Sequence, residues 1–313
     1  MFPAGTRGET MPFKRLRGLL SRHPASRIPR IPSLIRFDGS IRVTPLPCAM
    51  IFISLQSGSN GNCFYVETET TRLLFDAGIS ARQAAHRLAS TGREIKAVDA
   101  LFISHDHSDH TRAMGTYHRK FDVPVYATER TLNAIHRRSR QGTLRQVRTF
   151  QSGETVRFGG LNIESICTPH DGVDGVAFII DDGLCRLGIF TDLGHVFAGL
   201  VDNLATLDAV VIESNYDSQM LDDGPYPFDL KKRIRGPGGH ISNRESAELL
   251  SQLNLDNLQW ACLAHLSEKN NHPQVALRTH RKILGEALPL YVADREQQSE
   301  CMKILPSVFK IKK

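Results

Sequence analysis

The most informative segment of the chain is Ser104-His105-Asp106-His107-Ser108-Asp109-His110, which places three imidazoles and two carboxylates within seven residues. It follows residues 100–103, an apolar run with aromatic and β-branched members that is typical of a buried strand. A strand that ends in such a cluster brings its side chains to the rim of a sheet. Imidazole and carboxylate ligands without thiolates suit zinc, iron or manganese. The segment therefore predicts a metal site rather than a polar loop that is merely rich in histidine.

At this motif the chain resembles the metallo-β-lactamase-fold hydrolases, and the resemblance implies where further ligands fall. The family has an Asp before the cluster, then a lone His, an Asp and a final His after it, each at the end of a strand. The chain has these residues in that order, each after an apolar strand candidate: Asp76, His170, Asp192 and His265. The resemblance thus extends over most of the chain, and its order makes coincidence improbable.

The resemblance implies two divalent metal ions, either zinc or manganese, with iron as a further candidate. The implied ligands are His105, His107 and His170 for one ion, Asp109, His110 and His265 for the other, and Asp192 as a bridge between them. Two cations roughly 3.5–4 Å apart lower the pKa of a shared water, which makes hydroxide available at neutral pH. Asp76 is expected to orient the ligand segment through hydrogen bonds.

The charge of the chain is divided unevenly. Residues 1–49 carry nine Lys and Arg against two Asp and Glu, or +7, whereas the whole chain is +6, so residues 50–313 are at −1. The high isoelectric point therefore belongs to the leader and is no argument that the domain binds nucleic acid. We expect 1–49 to be a disordered basic leader or an over-called start, with a basic arm that touches nucleic acid as the lesser alternative.

The remaining residues, 50–313, are enough for one hydrolase domain with a large core. No apolar stretch is long enough to cross a membrane, and no secretory signal is recognisable. The six cysteines form no Cys-x-x-Cys pair, so a cytoplasmic location is the simplest expectation. The oligomeric state is left open.

The order of predicted elements is that of an α/β (α+β) protein. Helices are predicted at 80–91, after the ligand segment, and at 128–139, 195–205, 242–253 and 273–285. Strands are predicted at 51–55, 62–68, 71–76, 99–104, 123–127, 147–150, 155–158, 161–168, 176–181, 185–191, 208–213, 258–264 and 289–293. Periodicity alone indicates mixed α and β structure. The family resemblance implies a four-layer αββα sandwich, the metallo-β-lactamase fold.

Four further motifs resemble the YycJ/WalJ branch of this fold, a bacterial group regarded as metal-dependent exonucleases that act on DNA. They are Ser57-Gly-Ser-Asn-Gly-Asn-Cys63, Glu213-Ser-Asn-Tyr-Asp217, Gly239-His-Ile-Ser-Asn243 and His265-Leu-Ser-Glu-Lys-Asn-Asn271. Tyr216 is a departure, because many members have His there. The resemblance implies a DNA exonuclease. The alternatives are a hydrolase of a small phosphodiester, lactone or thioester, and a non-catalytic nucleic-acid-binding module.

His240 and Asp109 are the candidate catalytic residues. An imidazole at 240 could donate a proton to a leaving oxygen, although the same segment can also serve only as a helix entry, with Ser242 or Asn243 as its cap. The arginines clustered at 130–148 are as consistent with a solvated face as with DNA contacts. The residues expected to contact substrate are Asn60, Asn62, Lys231, Lys232, Arg233, Asn243 and Asn270.

Overall fold

The computed structural model describes residues 50–306, so the predicted basic leader at 1–49 lies outside the described residues, as do 307–313. The described part forms fourteen strands: β1 (Met50–Gln56), β2 (Cys63–Glu67), β3 (Arg72–Phe75), β4 (Ala100–Phe102), β5 (Val125–Thr128), β6 (Val147–Phe150), β7 (Thr155–Phe158), β8 (Leu161–Cys167), β9 (Val176–Asp181), β10 (Arg186–Phe190), β11 (Ala209–Glu213), β12 (Trp260–Ala264), β13 (Leu290–Val292) and β14 (Met302–Ile304).

Nine α-helices connect these strands within residues 50–306. They are α1 (Ala81–Ser90), α2 (Ser108–Thr111), α3 (Met114–Phe121), α4 (Glu129–Arg138), α5 (Leu200–Ala205), α6 (Ser218–Asp223), α7 (Phe228–Arg235), α8 (Asn243–Ser251) and α9 (Pro273–Leu284). None of them combines the length and the apolar character that crossing a bilayer requires.

The strands make two mixed sheets of seven. The first has the order β14-β1-β2-β3-β4-β5-β6, and the second has the order β13-β12-β11-β10-β9-β8-β7. β3 to β6 run parallel, as do β10 to β13, while the remaining neighbours are antiparallel. The carboxyl ends of the parallel strands lie at one edge of each sheet, which is where connecting loops can build a site.

The main core lies between the sheets, because alternate residues of each strand face inward. Phe75 of β3 and Phe178 of β9 meet across the sandwich with ring centroids 5.1 Å apart, and Phe52 of β1 meets Trp260 of β12 at 5.9 Å. The intervening residues face outward, so that Leu74 and Leu101 pack in a second cluster that includes residues of α1, α3 and α4.

A third cluster covers the outer face of the second sheet, where α5, α8 and α9 pack on strand residues such as Val210 and Leu263. Helices, sheet, sheet and helices therefore form four layers. The predicted α/β class and the αββα sandwich are both confirmed.

The helix starts follow local side-chain chemistry. Ser80 and Ser242 each accept a hydrogen bond from the backbone three residues on, and Gln83 and Glu245 return it in capping boxes. The predicted helix entry at Ser242 is thus confirmed. The predicted helix at 195–205 is shorter, because Gly194 and Gly199 adopt positive φ and α5 begins only after them.

Three elements were not predicted: α6, α7 and β14. α7 has the sequence FDLKKRIR, whose many charges hide its short apolar face, and it starts directly after Pro227. β14 has three residues and pairs only with β1, at the edge of the first sheet. α7 and β14 are stabilised by tertiary packing, which a short sequence window does not reveal.

Candidate metal centre

The predicted ligands converge at the carboxyl ends of the strands. The segment from Ser104 to His110 leaves β4, while Asp192 and His265 follow β10 and β12. Asp76, Asp192 and His265 have φ values of 63°, 59° and 56°. Non-glycine residues rarely adopt this left-handed conformation, and it costs about 1–3 kcal/mol per residue unless the surroundings impose it. At each position it turns the chain sharply where the strand ends, and the side chain enters the cluster.

The ligand segment is held against the loop after β3. The backbone amides of Asn62 and Ala77 donate to the carbonyls of Asp109 and His110, each at 2.7 Å. Gly78 lies so close that a Cβ on it would come within 1.6 Å of the Asp109 carbonyl oxygen. Only glycine fits there, and α2 is therefore fixed relative to the sheet before any ligand binds.

His105, His107 and His170 form one potential ligand group, with nitrogen atoms within 4.8 Å of one another. His170 Nε2 is 3.2 Å from His107 Nδ1. His170 Nδ1 is 2.8 Å from the carbonyl oxygen of Gly239, so the assigned tautomer donates there and leaves Nε2 free to bind a cation.

Asp109, His110 and His265 form the second potential group. His265 Nε2 is 3.3 Å from Asp109 Oδ2, and His110 Nε2 is 3.4 Å from the same oxygen. Asp192 lies between the groups, with Oδ2 at 3.2 Å from His110 Nε2 and Oδ1 at 3.6 Å from His170 Nε2. His105, His110 and Asp192 also lie within 4.8 Å of one another, so the two groups adjoin at Asp192.

Asp76 is buried behind His110. Its Oδ2 is 2.7 Å from His110 Nδ1, and its Oδ1 accepts from the backbone amide of Ser104 at 2.8 Å. The carboxylate thus orients His110 and also holds Ser104, the first residue of the ligand segment, in place. The family resemblance implies such an orienting role for Asp76.

Glu213 begins the motif Glu213–Asp217, and the sequence alone predicts no role for it. It is fully buried at the end of β11, with Oε1 at 2.7 Å from His240 Nδ1 and 3.2 Å from His265 Nδ1. Its other oxygen accepts from the backbone amide of Leu193 at 3.0 Å. A charged residue at the end of the predicted apolar strand 208–213 was the available signal, because such a residue is almost never buried unpaired.

The donor set fits divalent cations. Two buried atoms, His105 Nε2 and Asp192 Oδ2, make no hydrogen bond within the described residues. An unsatisfied buried polar atom costs about 1–3 kcal/mol, and coordination to a cation would remove that cost. The mixed imidazole and carboxylate chemistry suits zinc, manganese or iron.

The pKa shifts in the cluster also indicate a site that attracts positive charge. Burial alone would raise the pKa values of Asp109 and Asp192, but the neighbouring imidazoles hold both well below their ordinary range. Conversely, burial would lower the pKa of His265, yet Asp192, Asp109 and Glu213 raise it to about 10. Asp192, Asp76 and Asp109 likewise raise the pKa of His110 well above its ordinary range against the effect of burial, and divalent cations would neutralise the same carboxylates.

The cluster opens into a cleft of about 610 Å³. Its walls include His107, Asp109, His170, Asp192, His240 and His265. Opposite the cluster, the lining contains Tyr226, Leu230, Arg233 and Ile234 from the segment around α7, and Arg138 from the end of α4. The cleft is thus lined by apolar and cationic side chains as well as by the carboxylates and imidazoles of the cluster.

Two arginines of the rim are tied to residues beside the ligands. Arg138 Nη1 lies 2.5 Å from Asp106, and Arg233 Nη2 lies 2.7 Å from Asp171. Asp171 follows His170 and is also 3.3 Å from His107 Nε2. The sequence analysis gave no role to Asp106 or Asp171, since an Asp next to a ligand has no signal of its own. Of the arginines at 130–148, only Arg138 lines the cleft.

Several predicted substrate contacts lie elsewhere. Asn62, Asn243 and Asn270 are buried, so the expectation that they touch substrate needs correction. Asn62 Nδ2 is 3.0 Å from His110 Nε2 and 3.3 Å from Asp109 Oδ2, which makes it a support for the ligands. Asn243 accepts from Ser214 at 2.6 Å, and Asn270 donates to Ser267 at 3.3 Å.

Lys231 and Lys232 are also absent from the cleft lining, whereas Arg233 is part of it. The reason is helical phase: Leu230, Arg233 and Ile234 share one face of α7, and the two lysines point to the other side. Lys231 donates to the carbonyl of Asp222 at 2.7 Å. Asn60 is exposed, lies outside the cleft and donates to the carbonyl of Arg295 at 3.0 Å.

Comparison with known proteins gives consistent findings. Residues 71–265 match the family model described as "Beta-lactamase superfamily domain". The chain is 33% identical over 235 residues to "Exodeoxyribonuclease YycJ" of Bacillus anthracis, covering 75% of this chain and 89% of the relative. It is 36% identical over 240 residues to "Exodeoxyribonuclease WalJ" of Streptococcus pneumoniae serotype 2, covering 74% of this chain and 87% of the relative.

Among solved structures, the metallo-β-lactamase fold protein YhfI from Bacillus subtilis superposes with a TM-score of 0.62. The alignment covers 80% of this chain and 98% of YhfI at 15% sequence identity. At that identity the likeness concerns the fold alone. It agrees with the two seven-stranded sheets and their helical layers.

Proposed function

The chain belongs to the β-lactamase superfamily domain family, as a metal-dependent hydrolase of the metallo-β-lactamase fold, and we propose that it is an exonuclease that cleaves phosphodiester bonds in DNA. Two relatives that are 33% and 36% identical over most of their length are named exodeoxyribonucleases. The observation in the structure that carries the proposal is the pair of His240 and Glu213: His240 lines the cleft between His170 and His265, and Glu213 is buried behind it.

The proposed metal ligands are the seven side chains of the two groups and the residue between them. His105, His107 and His170 would hold one ion, and Asp109, His110 and His265 would hold the other, with Asp192 shared. Bound there, two divalent ions would supply a water of lowered pKa and would polarise the phosphoryl oxygens. Zinc, manganese and iron all suit this donor set, so availability decides which ion is bound.

His240 has the position of a proton donor. Its Nδ1 is 2.7 Å from Glu213 Oε1, while the ring lines the cleft and is partly exposed. Burial would raise the pKa of Glu213, but His240 and His265 hold it at about 2, so the carboxylate stays ionised. An ionised Glu213 can only accept a hydrogen bond, so it keeps a proton on Nδ1 of His240 and fixes the orientation of the ring. We assign to Nε2 the transfer of a proton to the leaving oxygen.

The rim arginines support a phosphodiester rather than a neutral ester as the substrate. Arg138 and Arg233 present guanidinium groups at the mouth of the cleft, and each is steadied by a carboxylate that adjoins a ligand. Guanidinium forks match phosphate oxygens, and contacts to phosphate carry no base preference. The cleft therefore has the features of a site for a phosphodiester backbone without sequence recognition.

The test uses the full-length chain with manganese or zinc, end-labelled linear duplex DNA, a closed circular DNA and a panel of small esters. Release of mononucleotides from the linear duplex, with the closed circle left intact, is the expected result. Turnover of a small phosphodiester, lactone or thioester with intact DNA would replace the proposal by the small-molecule alternative. Salt-dependent DNA binding without any turnover, in protein that contains metal, would support the non-catalytic alternative.

A further inference from the structure

A second groove lies beside the metal cleft and shares Arg112 with it. The groove encloses about 640 Å³, and its charged and amide lining residues include Asn60, Arg87, Arg112, Arg295 and Glu296. The glycine-rich loop separates the two spaces, since Ser59 lines the cleft and Asn60 lines the groove. A polymer that leaves the cleft at this loop would enter the groove directly.

The groove is cationic. Three arginines line it against one glutamate, Glu296. Arg87 is buried in its wall and donates to the carbonyl of Leu55 at 3.1 Å, to the side chain of Gln56 and to the carbonyl of Glu296. All three of these acceptors are neutral, so the charge of Arg87 is not cancelled by a hydrogen-bonded carboxylate.

Arg112 differs from the rim arginines of the cleft. Arg138 and Arg233 each form an ion pair, whereas no carboxylate of residues 50–306 lies within ion-pair distance of Arg112. Its side chain is exposed and has one long hydrogen bond, at 3.5 Å, to the carbonyl of Ser108. Its charge is therefore available to an anion from solution.

The groove is anchored to the metal centre on two sides. Arg112 follows α2 directly and is three residues after Asp109. On the opposite side, Arg295 Nη1 donates to the carbonyl of Leu266 at 3.0 Å, next to His265, while Nη2 is 3.4 Å from exposed Glu268. The side-chain amide of Asn60 donates to the backbone carbonyl of Arg295 at 3.0 Å. The backbone that carries Arg112 and the side chain of Arg295 therefore have a set position relative to Asp109 and His265.

We propose that this groove binds the phosphodiester backbone of the nucleic-acid strand beyond the bond that is cleaved in the metal cleft. The inference rests on the proposed nuclease function and adds a site of substrate binding to it. Its recognition is by positive charge toward phosphate groups, so it is independent of base sequence.

The test compares substrates that reach the groove with substrates that do not. Full-length protein with manganese is given a dinucleotide and a single-stranded 20-mer of the same composition. Arg295→Gln is expected to lower the ratio of kcat/KM for the 20-mer over the dinucleotide about tenfold, and to reduce the slope of log KM against log salt by roughly 0.7 for each lost phosphate contact. Arg295→Lys, which keeps the charge, should retain most of the ratio. Arg278→Gln, at an exposed position of α9 outside both the groove and the cleft, is the matched control.

A direct binding measurement separates failure of the groove from failure of the proposed function. Fluorescence anisotropy with a phosphorothioate 20-mer should show about tenfold weaker binding for Arg295→Gln and nearly unchanged binding for Arg295→Lys. If the wild type cleaves no DNA but this difference is found, the nuclease proposal is wrong, whereas the proposal that the groove binds the nucleic-acid backbone is retained. If Arg295→Gln matches the wild type in binding and in the length ratio, the groove is not a backbone site.

Discussion

The metal centre and the rim around α7 both consist of charged side chains, but they hold those charges in different ways. In the centre, Asp76 and Glu213 are buried, and each contacts a histidine at 2.7 Å. On the rim, Arg233 is largely exposed and depends on one ion pair with Asp171. A buried charge is costly unless it is paired, so changes in the centre should be severe and changes at the rim graded.

The largest effect is expected from a ligand. His107→Ala should lower kcat/KM for DNA by at least about 10³-fold, because metal binding supplies several kcal/mol of transition-state stabilisation. Elemental analysis of the same preparation should show a lower metal content per chain. His136→Ala, an exposed histidine of α4, is the control and should match the wild type. Full activity in His107→Ala would contradict the expectation that changes in the metal centre are severe.

His240 should behave differently from the ligands. His240→Gln is expected to reduce kcat about 10²- to 10³-fold through loss of proton transfer, while the metal content stays that of the wild type. The pH profile of kcat gives a second readout, since its dependence on a proton donor should disappear. Loss of metal in this variant would make His240 a ligand instead, in line with its place near Asp192 and His265.

The carboxylates behind the ligands should have intermediate effects. Asp76→Asn keeps the shape but removes the negative charge beside His110, and it should weaken metal affinity about 10- to 100-fold. Titration with a competing chelator measures this affinity directly. Excess metal should restore most of the activity, because the catalytic groups themselves are unchanged. An unaltered affinity would mean that the buried pair serves folding alone.

Substitutions on α7 should have the smallest effects, and the two faces of this helix should differ. Arg233→Gln is expected to raise KM for DNA by a few-fold, on the order of 1 kcal/mol, because it removes a cleft cation and its pair with Asp171. Lys232→Gln, on the opposite face of α7, should stay within about twofold of the wild type. Equal effects of both substitutions would show that only total charge matters and that the helix has no defined orientation toward substrate.

The metal centre could be predicted from sequence because its ligands are the end residues of strands, and strands have recognisable apolar patterns. Asp192 and His265 were located in this way, although neither belongs to a dense motif. Glu213 was passed over because its partners, His240 and His265, are 27 and 52 residues away along the chain. The family resemblance supplied the order of the ligands, and the strand patterns supplied their context.

The rim and the groove could not be predicted because their chemistry depends on which face of an element is exposed. Lys232 and Arg233 are adjacent in sequence, yet only one of them lines the cleft. Asn60 and Asn62 are two residues apart, and one is exposed while the other is buried against the ligand segment. A run of charges or amides predicts a polar surface, whereas the phase of α7 and the path of the glycine-rich loop follow from tertiary packing.

The central claim is that seven side chains, spread over 161 positions from His105 to His265, hold a pair of cations. The most direct measurement is anomalous diffraction from crystals of the protein loaded with zinc or manganese. We expect two anomalous peaks roughly 3.5–4 Å apart, one among His105, His107 and His170 and one among Asp109, His110 and His265, with Asp192 between them. A single peak in fully loaded protein, or none within reach of these residues, would contradict the account.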